Sequence, residues 1–150
     1  MTIVRPTWDQ YFLAIAKQVS TRSTCLRAKH GAVITDKQKR ILSTGYNEAP
    51  AKLPGCTQAG CALVNRPNYG LSCHRCYHAE ENAIIYLISL QNHVLADSIY
   101  ITGTPCDQCL ERICRIGIKR IVCAAKYNDK PSSYRDEMLA VFGAKIEYVQ

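Results

Sequence analysis

No run of apolar residues in this 150-residue chain approaches the length of about 18 that a membrane-spanning helix needs. The opening stretch, MTIVRPTWDQ, lacks the apolar core of a secretory leader. A cytoplasmic protein, or one sharing the cytosol of a host cell, is the expectation. There is also no block of Lys and Arg, although the formal net charge is +7. Scattered basic residues serve solubility, or a compact anionic ligand such as a nucleotide phosphate, at least as well as nucleic acid. No repeat, low-complexity tract or second domain is visible. One domain over residues 1–150 is expected, long enough to bury a core without cross-links.

What the chain has in plenty is cysteine, with nine. Disulfides are disfavoured in the cytosol, so clustered cysteines argue first for a metal.

Residues 7–22 read as a helix. Thr7 and Gln10 make a capping box, and Trp8, Phe12, Ile15 and Val19 follow helical spacing as its inward face. Residues 31–35 and 41–44 are β-prone around a charged turn, a hairpin pattern. Residues 50–77 show little periodicity, and a loop of that length needs a function or a pin. A helical pattern resumes at His78 and ends near Gln91. Residues 98–103 read as a strand. Pro105 then opens a helix at its first position, and Gly117 closes it. Residues 119–124 and 145–149 read as strands. Between them lies a helix over 133–142, with Met138, Leu139 and Phe142 inward and Gly143 as its stop. Strands alternating with helices predict an α/β fold, a three-layer α/β/α sandwich around a five-stranded mixed sheet.

Two short stretches carry chemistry: His78-Ala79-Glu80 and Pro105-Cys106-Asp107-Gln108-Cys109. At a helix start, thiols three residues apart share one face, beside a positive helix end that favours thiolate. Alone, this C-x-x-C fits a redox pair, two core cysteines or metal ligands. A lone histidine is no more specific. Together, H-x-E and P-C-x-x-C form the pattern of zinc nucleobase deaminases. His78, Cys106 and Cys109 supply three ligands, and the open fourth position marks a catalytic zinc. Glu80, two residues from His78, faces another side of the helix. It is expected to carry protons from water to the ring nitrogen and the leaving ammonia. The backbone N–H of Ala79 is expected to hold the oxygen of the base.

The segments RPTWDQYF, STCLRAKHGAV, STGYN, HAEENAI, TPCDQC and IKRIV extend the match well beyond the zinc motif. Over nearly its full length the chain resembles the deoxycytidylate (dCMP) deaminases. The resemblance implies the cytidine deaminase fold and hydrolysis of dCMP to dUMP and ammonia, supplying the dTMP precursor. It also implies a homohexamer, with no membrane or nucleic-acid partner. Carried over by position, Asn47 resembles the residue at the sugar and phosphate end. Arg5 and Arg27 resemble phosphate partners, and Tyr127 the aromatic that closes over the nucleotide. Family members with a second zinc draw ligands from the positions of Cys25, Cys56 and Cys76. With Cys73 these make a candidate structural set, Cys61 standing in reserve and His74 less favoured; buried reduced thiols are the other reading. Cys114 and Cys123 read as core.

One departure stands out. The family commonly reads G-Y-N-G, whereas this chain has Gly45-Tyr46-Asn47-Glu48. Glu48 removes a glycine's freedom and adds a carboxylate that repels a triphosphate. Weak or absent dCTP and dTTP control is the expectation. Two other functions compete: a tRNA or nucleic-acid base deaminase, and a non-catalytic zinc module that binds nucleic acid. The module leaves Glu80 without a role.

Overall fold

The computed structural model describes residues 4–63, 73, 75–126 and 131–149. In chain order the elements are α1 (Trp8–Ser20), β1 (Gly31–Thr35), β2 (Ile41–Tyr46), α2 (Cys56–Ala59), α3 (Ala79–Ser89), β3 (Ser98–Ile101), α4 (Asp107–Arg115), β4 (Arg120–Cys123), α5 (Ser133–Phe142) and β5 (Lys145–Tyr148). A single 3₁₀ turn, His93–Leu95, precedes β3.

The central strands β1, β3 and β4 are rich in β-branched and apolar residues and are buried nearly throughout. Such runs suit a sheet covered on both faces. The sheet has five strands in the order β2-β1-β3-β4-β5. β1 runs antiparallel to β2 and β3, and β3, β4 and β5 run parallel. Ala32, Ile34, Ile99, Ile101, Ile121 and Cys123 turn to one face and pack against α3, α4 and α5. Val33, Tyr100 and Val122 turn to the other and meet Phe12, Leu13 and Ala16 of α1. The three-layer sandwich and its mixed sheet are therefore as expected. Among the described residues, no helix is long and apolar enough to cross a membrane.

Several local expectations change. The capping box of α1 is present, Gln10 N–H donating to Thr7 and Thr7 N–H to Gln10. Trp8, however, is 51% exposed and lies stacked on Phe12, so Leu13 and Ala16 share the buried face with Phe12 instead. In α5, Met138 is buried but Phe142 is 39% exposed, because the edge strand β5 leaves that end of the helix uncovered. Pro105 does not occupy the first helical position: Cys106 is the N-cap and α4 begins at Asp107. Among the described residues of the stretch 50–77 there is one short helix, α2, with Gly55 at its N-cap. Gly143 ends α5 as expected, with φ of 62°, in the left-handed region that glycine tolerates without strain.

Candidate metal centre and active site

Two helix N-termini meet at the centre. α3 is pressed against β2, where a Cβ on Gly45 would run into the Ala79 carbonyl and the Ala83 amide. Ser43 Oγ donates to the Ala83 carbonyl, and Asn82 Nδ2 donates to the Tyr46 carbonyl at 2.7 Å. α4 follows β3, whose parallel pairing with β4 fixes where that helix starts. His78 caps α3 and Cys106 caps α4.

His78 Nδ1 lies 3.6 Å from Cys106 Sγ and 3.3 Å from Cys109 Sγ. The three donor atoms fall within 4.8 Å of one another. Tetrahedral zinc, with Zn–S of about 2.3 Å and Zn–N of about 2.0–2.1 Å, requires nitrogen-to-sulfur separations of about 3.6 Å. The geometry and the mixed nitrogen–sulfur donor set both fit that ion. The backbone reinforces the turn, as Cys109 N–H donates to Cys106 Sγ at 3.5 Å. Glu81 joins the two helices. Its Oε2 accepts from the His78 N–H at 2.8 Å, and its Oε1 pairs with Arg112 Nη1 of α4 at 3.3 Å.

The charges on these groups are interdependent. Donation from Cys109, followed by the interaction with His78, pulls the Cys106 thiol down to about 4. The bond to Cys106 raises His78 to about 9. The Cys106 sulfur beside it, and then burial, push the Cys109 thiol upward. A dication among the three compensates two thiolates at once, which is the charge this donor set lacks by itself. Glu80 lies beside them, only 6% exposed. Burial lifts its carboxyl to about 7, against the smaller downward pull of its own backbone N–H and of His78. Ala79 is fully buried at the first position of α3, where its N–H has no partner within the helix.

His30 was not singled out by any motif, yet it lies near enough to His78 for the two rings to interact electrostatically. Burial, and then the charge of His78, hold its imidazole below the ordinary value. Its Nδ1 is 3.4 Å from Thr102 Oγ1. The fold brings it there by pairing β1 with β3, a contact between residues 72 positions apart.

The other expected residues are placed unevenly. Asn47 is buried, and its amide serves the neighbouring backbone. Oδ1 accepts from His30 N–H at 2.7 Å and Nδ2 donates to the Ala28 carbonyl at 2.9 Å. Arg5 and Arg27 are exposed, one before α1 and the other in the turn between α1 and β1. Tyr127 and His74 lie outside the described residues. Glu48 forms a two-bond bridge with Tyr77, just ahead of His78, at 3.2 and 2.9 Å. Of the second cysteine set, Cys56 and Cys76 have their sulfurs 3.9 Å apart. Burial, then Cys56, Cys73 and Cys25 in turn, push the Cys76 thiol up to about 12. Among the described residues, no second group of three or more donors gathers within 4.8 Å.

A mixed sheet with a His-Cys-Cys cluster at two facing helix N-termini defines a zinc-binding deaminase domain. Residues 6–125 match the model of the cytidine and deoxycytidylate deaminase zinc-binding region, and the chain belongs to that family. It is 39% identical to the deoxycytidylate deaminase of Mycobacterium phage D29 over 124 residues, covering 79% of this chain and 94% of that protein. It is 34% identical to ComE operon protein 2 of Bacillus subtilis strain 168 over 146 residues, covering 97% and 73%. The crystal structure of dCMP deaminase from cyanophage S-TIM5, in complex with dCMP and dUMP, superposes with a TM-score of 0.76 at 23% identity. That match covers 97% of this chain and 99% of the other.

Proposed function

We propose that this chain hydrolyses dCMP to dUMP and ammonia. The observation that carries the proposal is the buried Glu80 carboxyl beside the His78–Cys106–Cys109 cluster. The substrate follows from the relatives that bear the name deoxycytidylate deaminase. Nδ1 of His78 and the sulfurs of Cys106 and Cys109 would hold zinc, which when bound would supply a Lewis acid able to bring the pKa of water toward about 7. Glu80 does the proton work. Its carboxylate takes a proton from the attacking water and delivers it to N3 of the cytosine. Glu80 then takes the second proton from the new C4 hydroxyl and delivers it to the amine, so that the C4 carbonyl forms as the C–N bond breaks and ammonia leaves. Burial makes this carboxylate a better proton acceptor than an exposed one, and the positive charge of a neighbouring metal would favour release of the proton onward. The Ala79 N–H holds the O2 of the base. Arg5 and Arg27, with Asn47 and Tyr127, serve the sugar and phosphate end.

Cys25, Cys56, Cys73 and Cys76 are read as holding a structural zinc, with Cys61 in reserve. The 3.9 Å Cys56–Cys76 approach, and the upward push on the Cys76 thiol from burial and then from Cys56, Cys73 and Cys25, support that reading. Glu48 in place of glycine supports weak or absent dCTP control. A homo-oligomer, with the hexamer favoured, would cover the exposed Ile85, Tyr86 and Ile88 of α3. The cytoplasm is the compartment that suits this chemistry.

The test is turnover of dCMP, deoxycytidine, CMP and a single-stranded oligonucleotide, with dCTP present and absent, on protein assayed for metal. dCMP should be preferred by orders of magnitude, dCTP should change the rate little, and two zinc ions should be found per chain. Preference for the oligonucleotide overturns the substrate. Strong dCTP activation overturns the Glu48 reading, and one zinc per chain overturns the second site.

A further inference from the structure

The first of the two residues between the cysteine ligands is Asp107, and its side chain is held by the start of α5. Arg135 Nε donates to Asp107 Oδ1 at 3.2 Å, and Arg135 Nη2 lies 3.1 Å from the same oxygen. Nη2 also reaches the Pro105 carbonyl at 3.4 Å. Ser132 Oγ donates to the other carboxylate oxygen, Asp107 Oδ2, at 2.8 Å, and itself accepts from the Arg135 N–H at 3.1 Å. Both oxygens of Asp107 and the carbonyl before Cys106 are therefore fixed from one neighbouring helix start. The Arg135 side chain is only 12% exposed, so this bond is more sheltered than an ordinary surface pair.

Within its own turn, the Cys106–Cys109 pair is held by the Leu110 N–H bond to the Cys106 carbonyl at 2.9 Å and by a long 3.5 Å N–H···S bond. Helix starts are prone to fraying. Charge-assisted bonds from a planar guanidinium add direction as well as strength. We infer that Arg135, acting through Asp107 and Pro105 with Ser132 beside it, is a positioning residue for the zinc-holding turn. Its bonds described above go to Asp107 and the Pro105 carbonyl, the residues on either side of Cys106. It sets the spacing of the two sulfurs, and so both the retention of zinc and the chemical step. The inference rests on the proposed zinc deaminase reading.

The test follows zinc and activity together as the full-length, zinc-loaded protein is exposed to a chromogenic chelator. Arg135→Ala should lose the active-site zinc and activity about tenfold faster, at the low end of the effect of outer partners on metal sites. Its kcat should fall by a similar factor, with KM for dCMP unchanged. Ser132→Ala, which removes the bond to Asp107 Oδ2 and the cap on the Arg135 N–H but leaves the guanidinium in place, should move both quantities the same way by less, and decides the matter if the arginine variant fails to fold. Arg135→Ala combined with Asp107→Ala should be no worse than the more severe single change, because both interrupt one route. Variants that lower the melting temperature while zinc release and kcat stay at wild-type values overturn the inference. So does full additivity of the double variant. Wild-type protein that holds no zinc overturns the parent reading as well. Zinc-loaded wild type that leaves dCMP untouched overturns only the substrate, and the zinc-release comparison still decides the role of Arg135.

Discussion

Asn47 illustrates how a residue expected to meet ligand can first serve the chain. Its amide satisfies the His30 N–H and the Ala28 carbonyl, and its own carbonyl accepts from Ser23 Oγ at 2.6 Å. The segment it secures leads directly into β1 and carries His30 toward His78. Replacing it with alanine leaves two sheltered backbone groups unpaired, at a cost of about 1–3 kcal/mol. For a chain of this size that is a melting temperature lower by several degrees. Asn47→Asp, which keeps the acceptor and loses the donor, should fall between wild type and alanine. An alanine variant that melts like wild type but shows a raised KM for dCMP would assign the side chain to the ligand alone. His30 itself carried no signal in the sequence. A single histidine in STCLRAKHGAV has no spacing partner, and only the β1–β3 pairing brings it beside His78.

Among the elements, the contact of α3 with β2 does most to set the site. The helix carries His78 at its cap and Glu80 in its first turn, and Gly45 lets it lie directly on the strand. A methyl group there meets backbone atoms on α3, which cannot rotate away. Gly45→Ala should destabilise the fold by about 1–3 kcal/mol, as overpacking does. It should also reduce kcat, because the helix start moves relative to Cys106 and Cys109. Denaturant unfolding and steady-state kinetics measure the two effects, and a variant unchanged in both would contradict this role for the contact. The helices and strands themselves were largely legible. Thr7 and Gln10 announced the start of α1, Gly143 announced the end of α5, and the alternation of strands with helices announced a covered mixed sheet. The errors arose where the answer depends on what lies opposite. Trp8 and Phe142 sit at helical spacing, but no neighbouring layer reaches them. Pro105 suits a first helical position, yet the Cys106 sulfur takes the capping bond and shifts the start by two residues. The metal motif was legible because its chemistry fixes residue types and spacing locally. The Asp107–Arg135 bond was not, since it joins residues 28 apart without a pattern.

At the scale of the molecule, α1 is, among the described residues, the only helix packed in the Val33–Tyr100–Val122 layer. Its start is tied to the far strands by Arg120, which holds Asp9 through two bonds of 2.8 Å and Glu147 through one of 2.6 Å. The Arg120 guanidinium holds the Asp9 carboxyl below its ordinary range, outweighing partial burial. Because that value is lower in the folded chain than in the unfolded one, the stabilisation is complete above the ordinary carboxylate range. It is lost as pH falls through the lowered value. At about 1 kcal/mol for a partly exposed pair, the effect is modest. Asp9→Asn should melt below wild type at neutral pH, and the gap should close in acid. A gap that persists or widens on acidification would show that Asp9 acts by packing and not by charge.

The central claim is that Glu80 moves the protons while His78, Cys106 and Cys109 hold the zinc. Glu80→Gln keeps the size and the buried position and removes the ionisable oxygen. The decisive measurement is zinc content and dCMP turnover on the same preparation of that variant. The account predicts wild-type zinc content, with ammonia release lower by roughly two to four orders of magnitude. Ammonia release within a few-fold of wild type, or loss of zinc along with activity, would contradict it.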